Sequence, residues 1–234
     1  MTTGAALADL AALLADRTRA QFCLALLDGR AWTAGELAAL AGVAPSTASE
    51  HLGRLVAGGL LVERRQGRHR YVQLAAPEVA QLLEDLGAHA APRGAEPVGL
   101  RAVATTAALA WGRTCYDHLA GRLGVAITSA LGERGLLDLT GGFALTTDGM
   151  AWFRAELGFV PVPSRRPVAR ACLDWTERRS HLAGQAGAHL RSRMQHNGWI
   201  AGRGDGRAVR LTPSGTRALS DLLGVTLPTA ATPT

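Results

Sequence analysis

Four residues in the second half of the chain carry chemistry that packing alone does not need. Cys115 and His118 lie in Arg113-Thr-Cys-Tyr-Asp-His118; Cys172 and His181 lie in Ala171-Cys-Leu-Asp-Trp-Thr-Glu-Arg-Arg-Ser-His181. Thiolate with imidazole is a soft donor set that suits Zn, Cd, Pb or Cu(I). Arg113 and Arg170 offer another chemistry, because a nearby cation lowers a thiol pKa and favours attack on oxidants or electrophiles. The plain alternative is that both cysteines are small buried hydrophobes, as expected for Cys23 on its apolar helix. Read as helix, residues 111–118 put Trp111, Cys115 and His118 on one face and turn Asp117 away. Cys172 then shares a face with Trp175, and His181 falls on the opposite side. Helix geometry thus permits a Cys/His chelate within the first segment and disfavours one within the second, with a site shared between the two left open.

A second group of residues points to nucleic acid. Residues 33–57 read as two short helices joined by Ala41-Gly42-Val43, a helix-turn-helix. Thr33 and Glu36 form a capping box at the first start, and the second helix runs from Pro45 to about Ala57. Ala48, Leu52 and Leu55 recur at helical spacing and face the core. Ser46, Thr47, Ser49 and Glu50 are then free to meet base edges in a major groove. Arg54, Arg64, Arg65, Arg68, His69 and Arg70 are placed to hold phosphates. Residues 54–70 contain five arginines and one acid, so the charge is concentrated on one edge. Residues 60–65 and 69–73 read as strands around a Gln66-Gly67-Arg68 turn, which makes that edge a wing.

The elements around these residues define the layout. Helices are expected at about 5–15, 17–28 and 77–86. Residues 88–99, rich in Ala, Pro and Gly, form the expected linker. The expected domains are therefore 1–87, for DNA binding and dimerisation, and 100–227, for regulation, with a disordered tail at 228–234. Within the second, His118-Leu-Ala-Gly121 recurs as His181-Leu-Ala-Gly184, and Leu145-Thr-Thr-Asp-Gly149 as Leu211-Thr-Pro-Ser-Gly215. Two winged-helix-like repeats follow, at about 105–158 and 168–224. The fold class expected is α+β, mainly α.

The 234-residue chain carries a net charge of +6. Its first 88 residues hold eight arginines against nine acids, and the rest seventeen against ten, so the basic excess lies in the second half. There Arg203, Arg207 and Arg210 mark a possible second wing, with a solvated arginine face as the alternative. Trp111, Trp152, Trp175 and Trp199 are expected in the core. No run of 18 apolar residues occurs and the start lacks a basic leader, so neither a membrane span nor a signal peptide is expected and the cytoplasm is the default compartment. Three scattered cysteines without a CxxC exclude a disulfide framework. P-loop, HExxH, GxSxG and dinucleotide motifs are absent, so an enzyme is not expected. Cys115 and His118 as a nucleophile pair would lack a group to orient the base.

Residues 32–74 resemble the ArsR/SmtB winged helix-turn-helix repressors. The likeness is carried by Gly42-Val-Ala-Pro-Ser-Thr-Ala-Ser-Glu-His-Leu52 with Leu55 and Gly59-Leu-Leu, and by the wing Arg64 to Tyr71. It extends over about residues 5–87. The resemblance implies a homodimer on a partly palindromic double-stranded operator, a repressor released by an effector. The helices near 5–15 and 77–87 would then form the dimer surface. Two departures stand out. Ala44 replaces the usual Ser or Thr cap, a loss of about 1 kcal/mol. The family's usual metal sites are missing: residues 36–42 contain no cysteine, and 78–89 lack the Asp-x-His and His-x-x-Glu pattern. No cofactor is required for the fold; the candidate effectors are a thiophilic metal ion, an oxidant or a small molecule. The alternative function is an interaction module whose winged surfaces bind protein, or a ligand-binding regulator without thiol chemistry.

Overall fold

The protein is described from a computed structural model, covering residues 3–66, 69–90, 100–203 and 206–227. Residues 91–99 of the expected linker, the tail at 228–234, and Gly67, Arg68, Gly204 and Asp205 lie outside the described residues. The chain divides into two compact units, Met1–Glu84 and Asp85–Thr234.

In the first unit, side-chain caps set the helix starts. Thr3 caps α1 (Gly4–Leu14) and Asp16 caps α2 (Arg17–Leu26). Trp32–Thr33 forms a short strand β1, not anticipated from the sequence. Thr33 and Glu36 close the capping box of α3 (Ala34–Ala41) in both directions. Gly42 then adopts the left-handed conformation (φ 64°) that a side chain disfavours, turning the chain into α4 (Pro45–Ala57). Ala44 gives α4 no side-chain cap. The hairpin β2 (Leu61–Gln66) and β3 (His69–Leu74) is antiparallel, and β1 adds to β3, for the order β1-β3-β2. Phe22, Leu26, Leu37, Leu52, Leu55 and Leu61 are fully buried between helices and sheet. Helix α5 (Pro77–Ala90) runs four residues past the expected end, so the first residues of the expected linker are helical.

The second unit takes in the last residues of α5, continues with α6 (Leu100–Trp111) and then states one pattern twice. The first copy is the hairpin β4 (Arg113–Cys115) and β5 (His118–Ala120), α7 (Gly121–Glu133), the hairpin β6 (Leu137–Asp138) and β7 (Ala144–Leu145), and α8 (Thr147–Leu157). The second is β8 (Arg170–Leu173), β9 (Ser180–Ala183), α9 (Gly184–His196), β10 (Ile200–Gly202), β11 (Val209–Leu211) and α10 (Pro213–Leu223). Thr146 and Thr212 cap α8 and α10 by accepting from Gly149 and Gly215. The sequence repeat is therefore a structural repeat. Its leading hairpin, however, falls where helix was expected. The two copies share one apolar core that includes Leu123, Ile127, Leu131, Phe153, Leu190 and Met194.

Candidate functional site

On α4 the apolar face of Ala48, Leu52 and Leu55 is buried. Ser46, Ser49, Glu50 and Arg54 are exposed, and Thr47 is half-buried. Glu50 and Arg54 pair at 2.7 Å one helical turn apart. On the wing Arg64, Arg65 and Arg70 are exposed. Arg65 stands directly opposite Arg70 in the strand register, an arrangement of like charges that costs a hairpin stability. Arg70 offsets part of that cost through an ion pair with Glu63. Arg68 is outside the described residues; His69 takes its place at the start of β3, paired with Gln66. Not every arginine of this unit faces outward. Arg19 is buried and donates to the carbonyls of Ala12 and Leu13, closing the end of α1.

The cysteine–histidine cluster departs from the helical expectation. Cys115 pairs with His118 across the tight turn between β4 and β5, and Cys172 pairs with His181 across the β8–β9 hairpin. Helix period therefore does not apply, and the nine-residue separation that set Cys172 and His181 apart instead brings them face to face. Tyr116, at φ 57°, makes the first turn, and helix begins only at Gly121. The two hairpins then meet. Cys115 Sγ lies 3.8 Å from Cys172 Sγ, and His118 Nε2 lies 3.2 Å from His181 Nε2. All four donor atoms fall within 4.8 Å of one another. The residues are 1%, 4%, 1% and 0% exposed for Cys115, His118, Cys172 and His181, so the cluster is almost wholly screened from solvent.

Glycines make the meeting of the repeats possible. A Cβ on Gly187 would sit 2.3 Å from the Leu182 carbonyl and 3.3 Å from His118 Cβ. A Cβ on Gly124 would sit 2.4 Å from the Leu119 carbonyl and 3.6 Å from His181 Cβ. Each histidine thus rests on the glycine of the other repeat. Gly187→Ala is expected to destabilise the protein by about 1–3 kcal/mol, since backbone must shift to admit the methyl. Urea unfolding followed by circular dichroism measures it, and an unchanged midpoint would contradict the packing described.

Two carboxylates back the histidines. His118 Nδ1 is 3.4 Å from Asp117, and His181 Nδ1 is 3.3 Å from Asp174. Arg166 holds Asp117 by two hydrogen bonds, at 2.5 and 2.8 Å. Asp174 is fully buried with Arg113 at 3.0 Å, and the Arg113 guanidinium stacks on Trp175 at 4.5 Å. Asp174 also accepts from the N–H groups of Gly121, Thr176 and Glu177. These partners were not read from the sequence, where Asp117 was expected to point away. The signal was the shared Cys-x-Asp, in Cys115-x-Asp117 and Cys172-x-Asp174.

The electrostatics follow from these contacts. Burial pushes the Asp174 carboxyl up, but His181 and Arg113 pull it well below the carboxylate range. Burial likewise opposes the charged form of Asp117, and His118 with Arg166 still brings it down to about 2. Burial works against protonated His181, and Asp174 with Cys172 overcomes it, raising the imidazole to about 8. The Cys172 thiol is held far below its ordinary range, first by the hydrogen bond with Cys115, with burial opposing and both histidines assisting. The arginines expected to activate the thiols do not: Arg113 is committed to Asp174, and Arg170 lies at the exposed far end of β8 opposite Ala183. Cys23 is fully buried and its thiol is pushed up to about 11, as fits a core residue.

Trp111, Trp152 and Trp199 pack at the margin of the core and are only half-buried. The β10–β11 hairpin carries exposed Arg210 and half-buried Arg203 and Arg207. Its backbone is tied inward, with Thr114 N–H donating to the Arg207 carbonyl and Val209 N–H to that of Gly112. No helix among the described residues is long and apolar enough to cross a membrane.

Residues 14–64 match the helix-turn-helix domain family. The uncharacterized HTH-type transcriptional regulator YdfF of Bacillus subtilis is 41% identical over 225 residues, spanning 94% of this chain and 97% of the relative. The HTH-type transcriptional regulator CmtR of Mycobacterium bovis is 42% identical over 81 residues, 35% of this chain and 68% of the relative. Among solved structures, the cadmium metal-sensor CMTR from Mycobacterium tuberculosis shows 36% identity over 38% of this chain and 98% of that one, with a TM-score of 0.30.

Proposed function

Since this chain belongs to the ArsR-type winged helix-turn-helix transcriptional regulators, we propose that it is a dimeric repressor whose hold on its operator is governed by the second unit. Residues 1–87 bind double-stranded DNA and dimerise, and residues 100–227 regulate. Ser46, Thr47, Ser49 and Glu50 read base edges; Arg54, Arg64, Arg65, Arg68, His69 and Arg70 hold phosphates. The observation that carries this reading is the exposed Arg65–Arg70 pair beside the small polar face of α4. A hairpin kept only for folding gains nothing from two facing guanidinium groups, whereas a phosphate backbone neutralises both. Dimerisation through α1 is supported by its surface, which buries none of its residues and leaves Leu7 61% exposed.

The effector is thiophilic and acts at Cys115, His118, Cys172 and His181. The test is fluorescence anisotropy of the full chain with duplex DNA from its own upstream region, first reduced, then with Cd(II) or a mild oxidant. Tight, salt-sensitive, sequence-specific binding that collapses on treatment is the expected result. Specific binding indifferent to both treatments would overturn the thiol effector and leave the repressor. Absence of specific binding in every state would overturn the autoregulated operator.

A further inference from the structure

The cluster's geometry narrows the effector to one chemical class. Regular tetrahedral coordination separates ligand atoms by about 1.63 bond lengths. Zinc–thiolate bonds of about 2.3 Å then require S···S near 3.8 Å, and zinc–imidazole bonds of about 2.0–2.1 Å require N···N near 3.3–3.4 Å. The pairs here stand at 3.8 Å and 3.2 Å. Both histidines also present the same atom. Nε2 faces inward on each ring, while Nδ1 faces a carboxylate, Asp117 on one side and Asp174 on the other. His118 Nδ1 hydrogen-bonds Asp117, whereas His181 Nδ1 lies 3.3 Å from Asp174 outside hydrogen-bond geometry; a carboxylate beside Nδ1 turns Nε2 toward a ligand position, which is the usual outer support of a metal-bound histidine. Those carboxylates are themselves fixed, by Arg166 and Arg113.

Charge points the same way. Uptake of M²⁺ expels two protons from the cluster, and M²⁺ with two thiolates and two neutral imidazoles carries no net charge. A neutral centre is the form that a water-excluded pocket tolerates. Four protein donors fill a tetrahedron and leave no open position, so the centre binds and does not catalyse.

We propose that Cys115, His118, Cys172 and His181 hold one divalent ion of the zinc class in closed tetrahedral S₂N₂ coordination, with Asp117 and Asp174 as positioning residues. Each repeat supplies one thiolate and one imidazole, so the ion ties the first repeat to the second. The assignment rests on the reading of this cluster as the effector site and names what that effector is.

The experiment uses the reduced full chain, stripped with a chelator and titrated with Co(II), followed by absorption and by operator anisotropy in parallel. Thiolate-to-cobalt charge transfer and intense tetrahedral d–d bands should saturate at one ion per chain and vanish on adding Zn(II). Cys115→Ser and His118→Gln should lose the bands. Asp117→Asn, at a half-exposed position, should keep them with affinity lowered about 10–100-fold. Weak octahedral bands, or none, from a stripped chain that keeps its wild-type circular dichroism would overturn the proposal. So would a chain that responds to oxidant by losing two hydrogens to a Cys115–Cys172 disulfide and never takes up metal. Saturable tetrahedral binding with unchanged operator affinity would uphold the metal centre and overturn the effector reading. An operator response to oxidant with no metal uptake would overturn the metal centre alone.

Discussion

Alanine at both Arg65 and Arg70 is expected to cut operator affinity on the order of 30-fold at 0.15 M salt while leaving stability level or slightly raised. The size follows from counterion release. Each phosphate contact contributes a slope of about 0.9 in log K against log salt, hence roughly fivefold at this ionic strength, and two contacts multiply. The slope should flatten by about 1.8, and the loss should be similar on specific and unrelated duplexes, because phosphates carry no sequence. The stability half of the prediction is what makes it discriminating. Arg65 and Arg70 face one another in the strand register and repel, so their removal relieves the hairpin, against loss of only one surface ion pair, Arg70 with Glu63. A fall in affinity confined to one DNA sequence, or a cooperative loss of stability, would contradict the phosphate role.

The second large effect is expected at Asp174. With Asp174→Ala the Arg113 guanidinium, fully buried at 3.0 Å from it, keeps its charge and loses its counter-charge. Three backbone donors, on Gly121, Thr176 and Glu177, lose their acceptor at the same time. Breaking a buried pair by removing one partner costs about 3–5 kcal/mol. At about 2–4 °C per kcal/mol for a unit of this size, the midpoint should fall by roughly 6–20 °C. Calorimetry with chelator present isolates this term from any bound ion. Arg113→Met should cost less, because Asp174 keeps its backbone donors. A midpoint for Asp174→Ala within a degree of the parent would mean that the pair does not organise the hairpins.

How much of this was legible in the residues divides by the range of the interactions involved. The capping box of Thr33 and Glu36, the glycine turn at Gly42 and the buried spacing of Ala48, Leu52 and Leu55 are all local, and each was read where it lies. The short strand β1 was missed because its two residues are strand only through pairing with Val72 and Tyr71, some forty residues on. The expected metal face of a helix at 111–118 failed for a related reason. Helical spacing was assumed for a segment whose conformation is set by the partner strand and by Tyr116 at its turn.

By itself the sequence determined the helix-turn-helix, the arginine-rich wing and the two-copy plan of the second half, and it singled out Cys115, His118, Cys172 and His181 as side chains of interest. Those features depend on neighbours a few residues apart, where propensity, capping and periodicity act. Only the tertiary structure decided that the donors converge. His118 and His181 are 63 residues apart and Cys115 and Cys172 are 57 apart, and each pair touches because Gly124 and Gly187 let the two repeats interlock. No local preference encodes a contact of that span, since it exists only once both hairpins are formed and their shared core is packed.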